Sequence, residues 1–335
     1  MNRRQAMLAI CALGSSIGAP CAQAQPSSKP RRVGYLGPSA ETAPHLLKAF
    51  GEGLAALGYV EGRTIVVDYR WTNAGTGMTS ESTLLANARE LVAAKPDVMV
   101  ASIDPAILAA KSAAAGAIPI VMLNASDPVE LGLVQSLAHP GGNITGMTRL
   151  SPELIGKNLQ VLLEAVPSAR QVGLLLSSTN TASRPIVANA RQAAQARGIA
   201  LQVVELQAGS ELEAAFAALK RVRADALLVA DTGGGTFFTQ RARLAHLALD
   251  QHLPTIFANT ENVEAGGLMS YSPSSVAHYR RAAAFIDRIL RGAKPADIPV
   301  EQPTTFELAI NMTTAKALKL AIPQTLLLRA DRLIE

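Results

Sequence analysis

The chain has 335 residues, 17% of them charged, a formal net charge of +5 and two cysteines. Both cysteines, Cys11 and Cys21, lie near the N-terminus, which removes disulfides, thiolate catalysis and cysteine-ligated metals from everything downstream. The excess of Lys and Arg forms no run interleaved with aromatics, as a nucleic-acid surface would show, so the charge reads as solubility.

Met1-Asn-Arg-Arg4 leads into an apolar, small-residue stretch from Ala6 to Ile17, and Ala22-Gln23-Ala24 follows. A charged start, a short apolar region and an A-x-A site describe a secretory signal peptide over 1–24, cut after Ala24. The apolar stretch is well short of the ~20 residues that span a bilayer. Arg3-Arg4 leaves the general secretory and twin-arginine routes both open. Pro20 before Cys21 and Ile10 before Cys11 do not resemble a lipoprotein cleavage site. The expected location is therefore the periplasm, reached by export, with residues 25–30 as a polar linker.

Strands and helices then alternate. Arg32–Gly37 is the first expected strand, Ala43–Leu57 a helix, Thr64–Arg70 a strand and Ser82–Ala94 a helix. Asp97–Ser102 (strand), Pro105–Ala115 (helix), Ile118–Leu123 (strand) and Pro128–Ala138 (helix) come next, and Ile144-Thr145 opens a fifth strand. This spacing makes right-handed βαβ units on a parallel sheet. After a helix over Pro152–Val166 the plan restarts, with strands at Gln171–Ser177, Leu201–Glu205, Ala226–Ala230 and Thr255–Phe257. Helices over Pro185–Arg197, Glu211–Val222 and Thr239–Gln251 separate them. Gly267–Tyr271 and Phe306–Ile310 are further strands around a helix at Val276–Leu290. The expected fold class is α/β: two doubly wound parallel-sheet lobes joined by a hinge that the chain crosses more than once. The first lobe takes 31–146 plus about 273–302, and the second 147–272 plus about 303–335. The cleft between such lobes is a preferred place for ligands.

Asn124–Gly146 is the most informative stretch. Asn124, Ser126 and Asp127 stand at the carboxyl end of a buried strand, where ligands of open α/β sheets bind. Asp127-Pro128-Val129-Glu130 is also a helix start, with Asp as cap, Pro at the first position and Glu completing a capping box. Capping alone and capping combined with a cleft-facing carboxylate both remain open for Asp127. Asp104-Pro105 and Ser151-Pro152 repeat the cap arrangement. Pro140-Gly-Gly-Asn143 to Gly146 reads as the approach to the hinge.

Asp231-Thr-Gly-Gly-Gly-Thr236 follows a strand, yet it lacks the Lys-Ser/Thr pair of a P-loop and the G-x-G-x-x-G spacing, so a flexible turn is its first reading. The histidines at 45, 139, 246, 252 and 278 show no metal-ligand spacing and are expected at the surface or rim. Trp71, the single tryptophan, is expected in packing or at a lobe surface, ahead of stacking on a ligand. No nucleophile elbow, H-E-x-x-H or matched carboxylate pair appears. The expectation is no enzyme, no metal and no cofactor.

The segments Lys95-Pro-Asp-Val-Met-Val-Ala101, Asp127-Pro-Val-Glu-Leu-Gly-Leu-Val134, Pro140-Gly-Gly-Asn-Ile-Thr-Gly146 and Gly266-Gly-Leu-Met-Ser-Tyr271 carry a resemblance. So do Ile118-Pro-Ile-Val121 and the ending with Thr314-Ala-Lys-Ala-Leu318 and Leu328-Arg-Ala-Asp331. Together they resemble the ABC-transporter substrate-binding proteins of type I periplasmic-binding fold, in the branch that includes tryptophan- and tyrosine-type binders. Gly75-Thr-Gly77 departs from the more charged stretch expected there.

The resemblance implies a monomer that closes on a small-molecule solute and hands it to a membrane permease with a separate ATPase subunit, with no nucleic acid as partner. A ligand favours the closed state only through differential contacts, so both lobes should supply them. From the first lobe the candidates are Ser39, Ser102, Asn124, Ser126 and Asp127. From the second they are Thr179, Asn180, Asp231 and Asn259, with Tyr271 at the crossover. Hydroxyls, amides and helix N-termini suit a carboxylate, and Asp127 or Asp231 suits an amino group, which favours an amino acid or related zwitterion. A ligand-sensing module for a membrane receptor shares all of these features, and a secreted α/β enzyme is the weaker alternative.

Overall fold

The computed structural model describes residues 29–74, 77–78, 80–149, 154–178, 183–206, 212–230 and 236–335. Thr179, Asn180, Asp231 and the Ser151-Pro152 cap fall outside the described residues. The first lobe opens with β1 (Arg31–Gly37), α1 (Pro44–Ala56), β2 (Ile65–Trp71) and a small hairpin of β3 (Asn73–Ala74) and β4 (Gly77–Met78). Then come α2 (Glu81–Ala93), β5 (Val98–Ser102), α3 (Asp104–Ala114), β6 (Ile120–Ala125) and β7 (Ile144–Thr148). Their sheet has the order β2-β1-β5-β6-β7 and is parallel throughout. β5 and β7 are buried at every position, as expected of strands covered by helices on both faces.

The second lobe continues with α4 (Leu154–Ala165), β8 (Gln171–Ser177), α5 (Ser183–Gln195), β9 (Ala200–Leu206), α6 (Leu212–Arg221) and β10 (Ala226–Ala230). It adds a short α7 (Thr236–Thr239), α8 (Arg241–Asp250), β11 (Thr255–Phe257), α9 (Thr260–Glu264) and β12 (Met269–Pro273). The chain then returns to the first lobe as α10 (Ser275–Leu290) and goes back once more for β13 (Phe306–Asn311), α11 (Met312–Ala317), α12 (Gln324–Leu327) and β14 (Arg332–Ile334). The second sheet runs β14-β13-β12-β11-β10-β8-β9, and β13 is antiparallel to β12. Two doubly wound lobes with several crossovers are what the alternation of elements predicted.

Each sheet is a wall between two apolar clusters. In the first lobe, α1 and α10 cover one face, with Leu46, Phe50, Tyr279, Phe285 and Ile286 against Val33, Val100 and Val121. α2 and α3 cover the other with Leu84, Leu91, Ile107 and Ala110. Fully burying an aromatic or branched aliphatic side chain contributes roughly 1.5–3 kcal/mol, so α10 is integral to the first lobe despite its late place in the chain. Gly53 explains how closely α1 and α10 approach, because a Cβ there would run into the Arg280 carbonyl. Gly146 plays a similar part in the sheet: at φ 131 its missing side chain leaves room for the Met122 backbone, beside the register shift between β6 and β7.

Two local expectations are corrected. Residues 128–138 form turns instead of a helix. Asp127 does cap, its Oδ1 accepting from Val129 N and Glu130 N at 3.1 and 3.0 Å, but Gly132 enters the left-handed region at φ 61 and ends the turn. Leu133 and Val134 then pack into the cluster below α3. Asp104 does not cap α3: it is the first helical residue, and its carboxylate instead binds Ser126, accepting from its N at 2.9 Å and from its Oγ.

Candidate functional site: the inter-lobe cleft

In a doubly wound sheet, the loops beside the point where strand order reverses splay apart and leave a crevice. In the first lobe those loops follow β1 and β5, bringing Pro38 and Ser102-Ile103 to the cleft. They meet the loop after β6 (Asn124), the crossover residue Arg149, and Phe238, Asn259, Ser275 and Tyr279. With Leu46 these residues close on a narrow space between the lobes, a cavity of only about 20 Å³. The wall is mixed in character: Arg149, Asn124, Asn259, Ser102 and Ser275 are polar, and Pro38, Leu46, Ile103 and Phe238 are apolar.

The backbone on the first-lobe side is held in unusual conformations. Ile103 has φ 70 and ψ 149, and Asn124 has φ 59. For a β-branched residue a positive φ is a true outlier, and such strain collects at ligand clamps. Ile103 N donates to Leu123 O at 3.0 Å, which ties the two neighbouring strand ends together. Behind them, Ser102 Oγ and Tyr279 Oη share a 2.8 Å hydrogen bond, and burial pushes the Tyr279 phenol up to about 12. His278 Nδ1–H donates to Asn124 Oδ1 at 3.1 Å. This histidine is only 9% exposed, contrary to the surface or rim position expected for it. Burial, with the Arg149 charge adding to it, lowers its pKa to about 4, so it is a neutral prop for Asn124.

Arg149 follows the last residue of β7 and is 5% exposed. Its Nη2 donates to Ala258 O at 3.1 Å and to Asn259 Oδ1 at 2.5 Å, reaching the second lobe. Other contacts also span the cleft. His45 Nε2–H donates to Glu261 Oε1 at 3.1 Å, and Arg241 Nη2 donates to Thr42 O at 3.2 Å. Arg241 also lies over the Phe238 ring, 4.9 Å from its centroid, while Phe238 packs into the first lobe's own cluster. α7 lies against β4. The two lobes are thus closed on each other.

Ser102, Asn124 and Asn259, all expected from sequence, line this space together. Ser39, next to Pro38, shares a 3.2 Å hydrogen bond with Thr42 Oγ1. Ser126 is buried and bound to Asp104, and Asp127 serves its turn. Tyr271 stacks on Phe306 at 5.6 Å and packs against the second lobe's core. Trp71 stacks on Tyr69 at 5.4 Å at the edge of the first lobe's cluster. Arg149, Phe238, Tyr279 and Glu261 were not singled out from sequence. The signal for Arg149 was there: a charged residue directly after the buried run Ile144–Thr148.

Residues 40–334 match the family described as ABC transporter substrate binding protein. Over 271 residues the chain is 27% identical to a tyrosine-binding protein from Clostridioides difficile, covering 81% of this chain and 75% of that protein. An ABC domain from Streptococcus pneumonia, solved in complex with L-Trp, superposes with a TM-score of 0.82 at 25% identity, covering 91% of this chain and 100% of that one. A conserved domain protein from Vibrio cholerae gives the same TM-score, identity and coverage. The family match takes in both lobes and every crossover between them: the chain belongs to the ABC transporter substrate binding protein family, a family of solute-binding proteins.

Proposed function

We propose that this protein is the extracytoplasmic solute-binding component of an ABC importer and that its cleft takes an amino acid with an apolar, aromatic side chain. The observation that carries this reading is the wall of the cleft, which combines a buried guanidinium with apolar side chains. A buried guanidinium amid amides and hydroxyls suits a carboxylate, since Arg recognises it by charge-assisted and often bidentate hydrogen bonds. Pro38, Leu46, Ile103 and Phe238 in the same wall suit an apolar body. The relatives support the choice, one being named for tyrosine and the other holding L-Trp.

Closure around such a ligand is favoured by contacts made to both lobes at once. Arg149 stands at the crossover and reaches the second lobe, so a carboxylate bound there would engage the first lobe's rim and the second lobe's wall together. Delivery to a membrane permease driven by a separate ATPase, and export by the N-terminal segment, complete the proposal. Calorimetric titration of the purified protein with L-tryptophan, L-tyrosine, glucose and a nucleoside tests it. Saturable binding of at least one of the two amino acids, with no heat from glucose or the nucleoside, is expected. Binding of the sugar or nucleoside alone would sink the reading.

A further inference from the structure

Glu261 lies where the two lobes meet, beside the cleft wall. It lies in α9 directly after the strand end that carries Asn259, and it is 6% exposed. Its Oε1 accepts from His45 of the other lobe. Its Oε2 is buried with no hydrogen-bond partner among the described residues. Two positions earlier, Asn259 Nδ2 is in the same condition, while its Oδ1 is taken by Arg149.

A buried carboxylate with an unmade hydrogen bond carries a desolvation penalty that structural carboxylates avoid. Asp104 shows the contrast: both of its oxygens accept from Ser126. Burial pushes the Glu261 carboxyl up. The hydrogen bond from His45, that from its own backbone N–H, and the charges of His45 and Arg149 outweigh burial and hold it below the usual carboxylate value. It is therefore an anion at neutral pH, beside the cleft, with acceptor capacity to spare. His45 is itself partly exposed, so it can turn aside without leaving a buried gap. Arg149 in the cleft wall and Glu261 beside it thus set opposite charges near one another, and that arrangement fits a zwitterion.

Resting on the amino-acid reading of the cleft, we infer that Glu261 is the residue that selects for a protonated amine, its Oε2 accepting from the ligand's ammonium while Arg149 holds the carboxylate. His45 then acts as the stand-in donor from the first lobe. A ligand with the same carboxylate and ring but no amine leaves Glu261 no better paired than before.

The test is calorimetric titration of wild type, E261Q and H45Q with two pairs of ligands: L-tryptophan against indole-3-propionate, and L-tyrosine against 3-(4-hydroxyphenyl)propionate. The members of each pair differ only in the amine. Wild type should prefer the amine-bearing member by roughly 10- to 100-fold, the range of a charge-assisted hydrogen bond to a buried group. E261Q, nearly isosteric, should bind both members within about threefold of each other, and H45Q should keep the wild-type preference. Equal binding of both members by wild type overturns the inference without recourse to any variant. So does an undiminished preference in E261Q, or its loss in H45Q, which would reduce Glu261 to an inter-lobe tie. Failure of wild type to bind either amino acid overturns the amino-acid reading, and this inference with it.

Discussion

The strand ends that face each other across the cleft treat their polar groups in opposite ways. At the end of β6, Ser126 gives both N–H and hydroxyl to Asp104, Asp127 caps its own turn, and Asn124 is propped by His278. At the end of β11, Asn259 Nδ2, Glu261 Oε2 and Asn262 Oδ1 are all buried without a partner among the described residues. Side chains of similar chemistry, on equivalent edges of similar sheets, have been put to different uses. Where every donor and acceptor is matched inside one lobe, the polar group holds the fold. At Glu261, where matching is left unfinished, the proposed ligand would complete it.

Substitutions on each side should divide accordingly. The largest effect is expected for Arg149→Met, which removes the cleft's guanidinium: ligand affinity should fall by roughly 1,000-fold, about 4 kcal/mol, in calorimetric titration. The melting temperature should fall far less than such a figure would suggest. Asp104→Ala is the converse. It removes the acceptor of both the buried Ser126 N–H and hydroxyl, so unfolding free energy should drop by about 3 kcal/mol in urea denaturation, with affinity intact in the folded fraction. An affinity loss there would erase the distinction between the two strand ends.

The third test uses pH. The imidazole of His278 has a folded-state pKa depressed from 6.5 to about 4 by burial and by Arg149. Between those values the unfolded chain takes up a proton that the native state refuses, so stability falls as pH drops from about 6.5 to about 4 and is flat with respect to this group outside that window. The expected loss is up to about 3 kcal/mol, and His278→Asn should flatten that part of a melting-temperature profile. The smallest effect is expected for Asp127→Ala, about 1 kcal/mol of stability from the lost cap, with affinity unchanged. A weakened ligand would instead move Asp127 to the recognising side.

Sheets, lobes and the late return of the chain were legible in the alternation of apolar runs, because strand burial and helix periodicity are local properties. The turn at 128–138 was not, since Asp127 and Pro128 begin a helix and a helix signal does not register where Gly132 will stop it. Ser102, Asn124 and Asn259 could be named because strand ends are visible in sequence. Glu261 could not, because in sequence it is one of several polar residues at the start of a short helix. Its partner His45 lies more than two hundred residues earlier and meets it only when the lobes close. Phe238 has the same history: it belongs to one lobe by sequence and to the other by packing.

The placement of α10 bears on how the chain is made. The first lobe's core takes Tyr279, Phe285 and Ile286 from this helix, and the second lobe's sheet takes β13 and β14 from the final segment. A chain emerging from its N-terminus therefore cannot finish either lobe until most of it has been synthesised, and contacts of such long sequence separation form slowly. Until then the nascent chain holds two incomplete cores, exposed to chaperones and aggregation. Native structure in both lobes should appear almost together, at the end of synthesis.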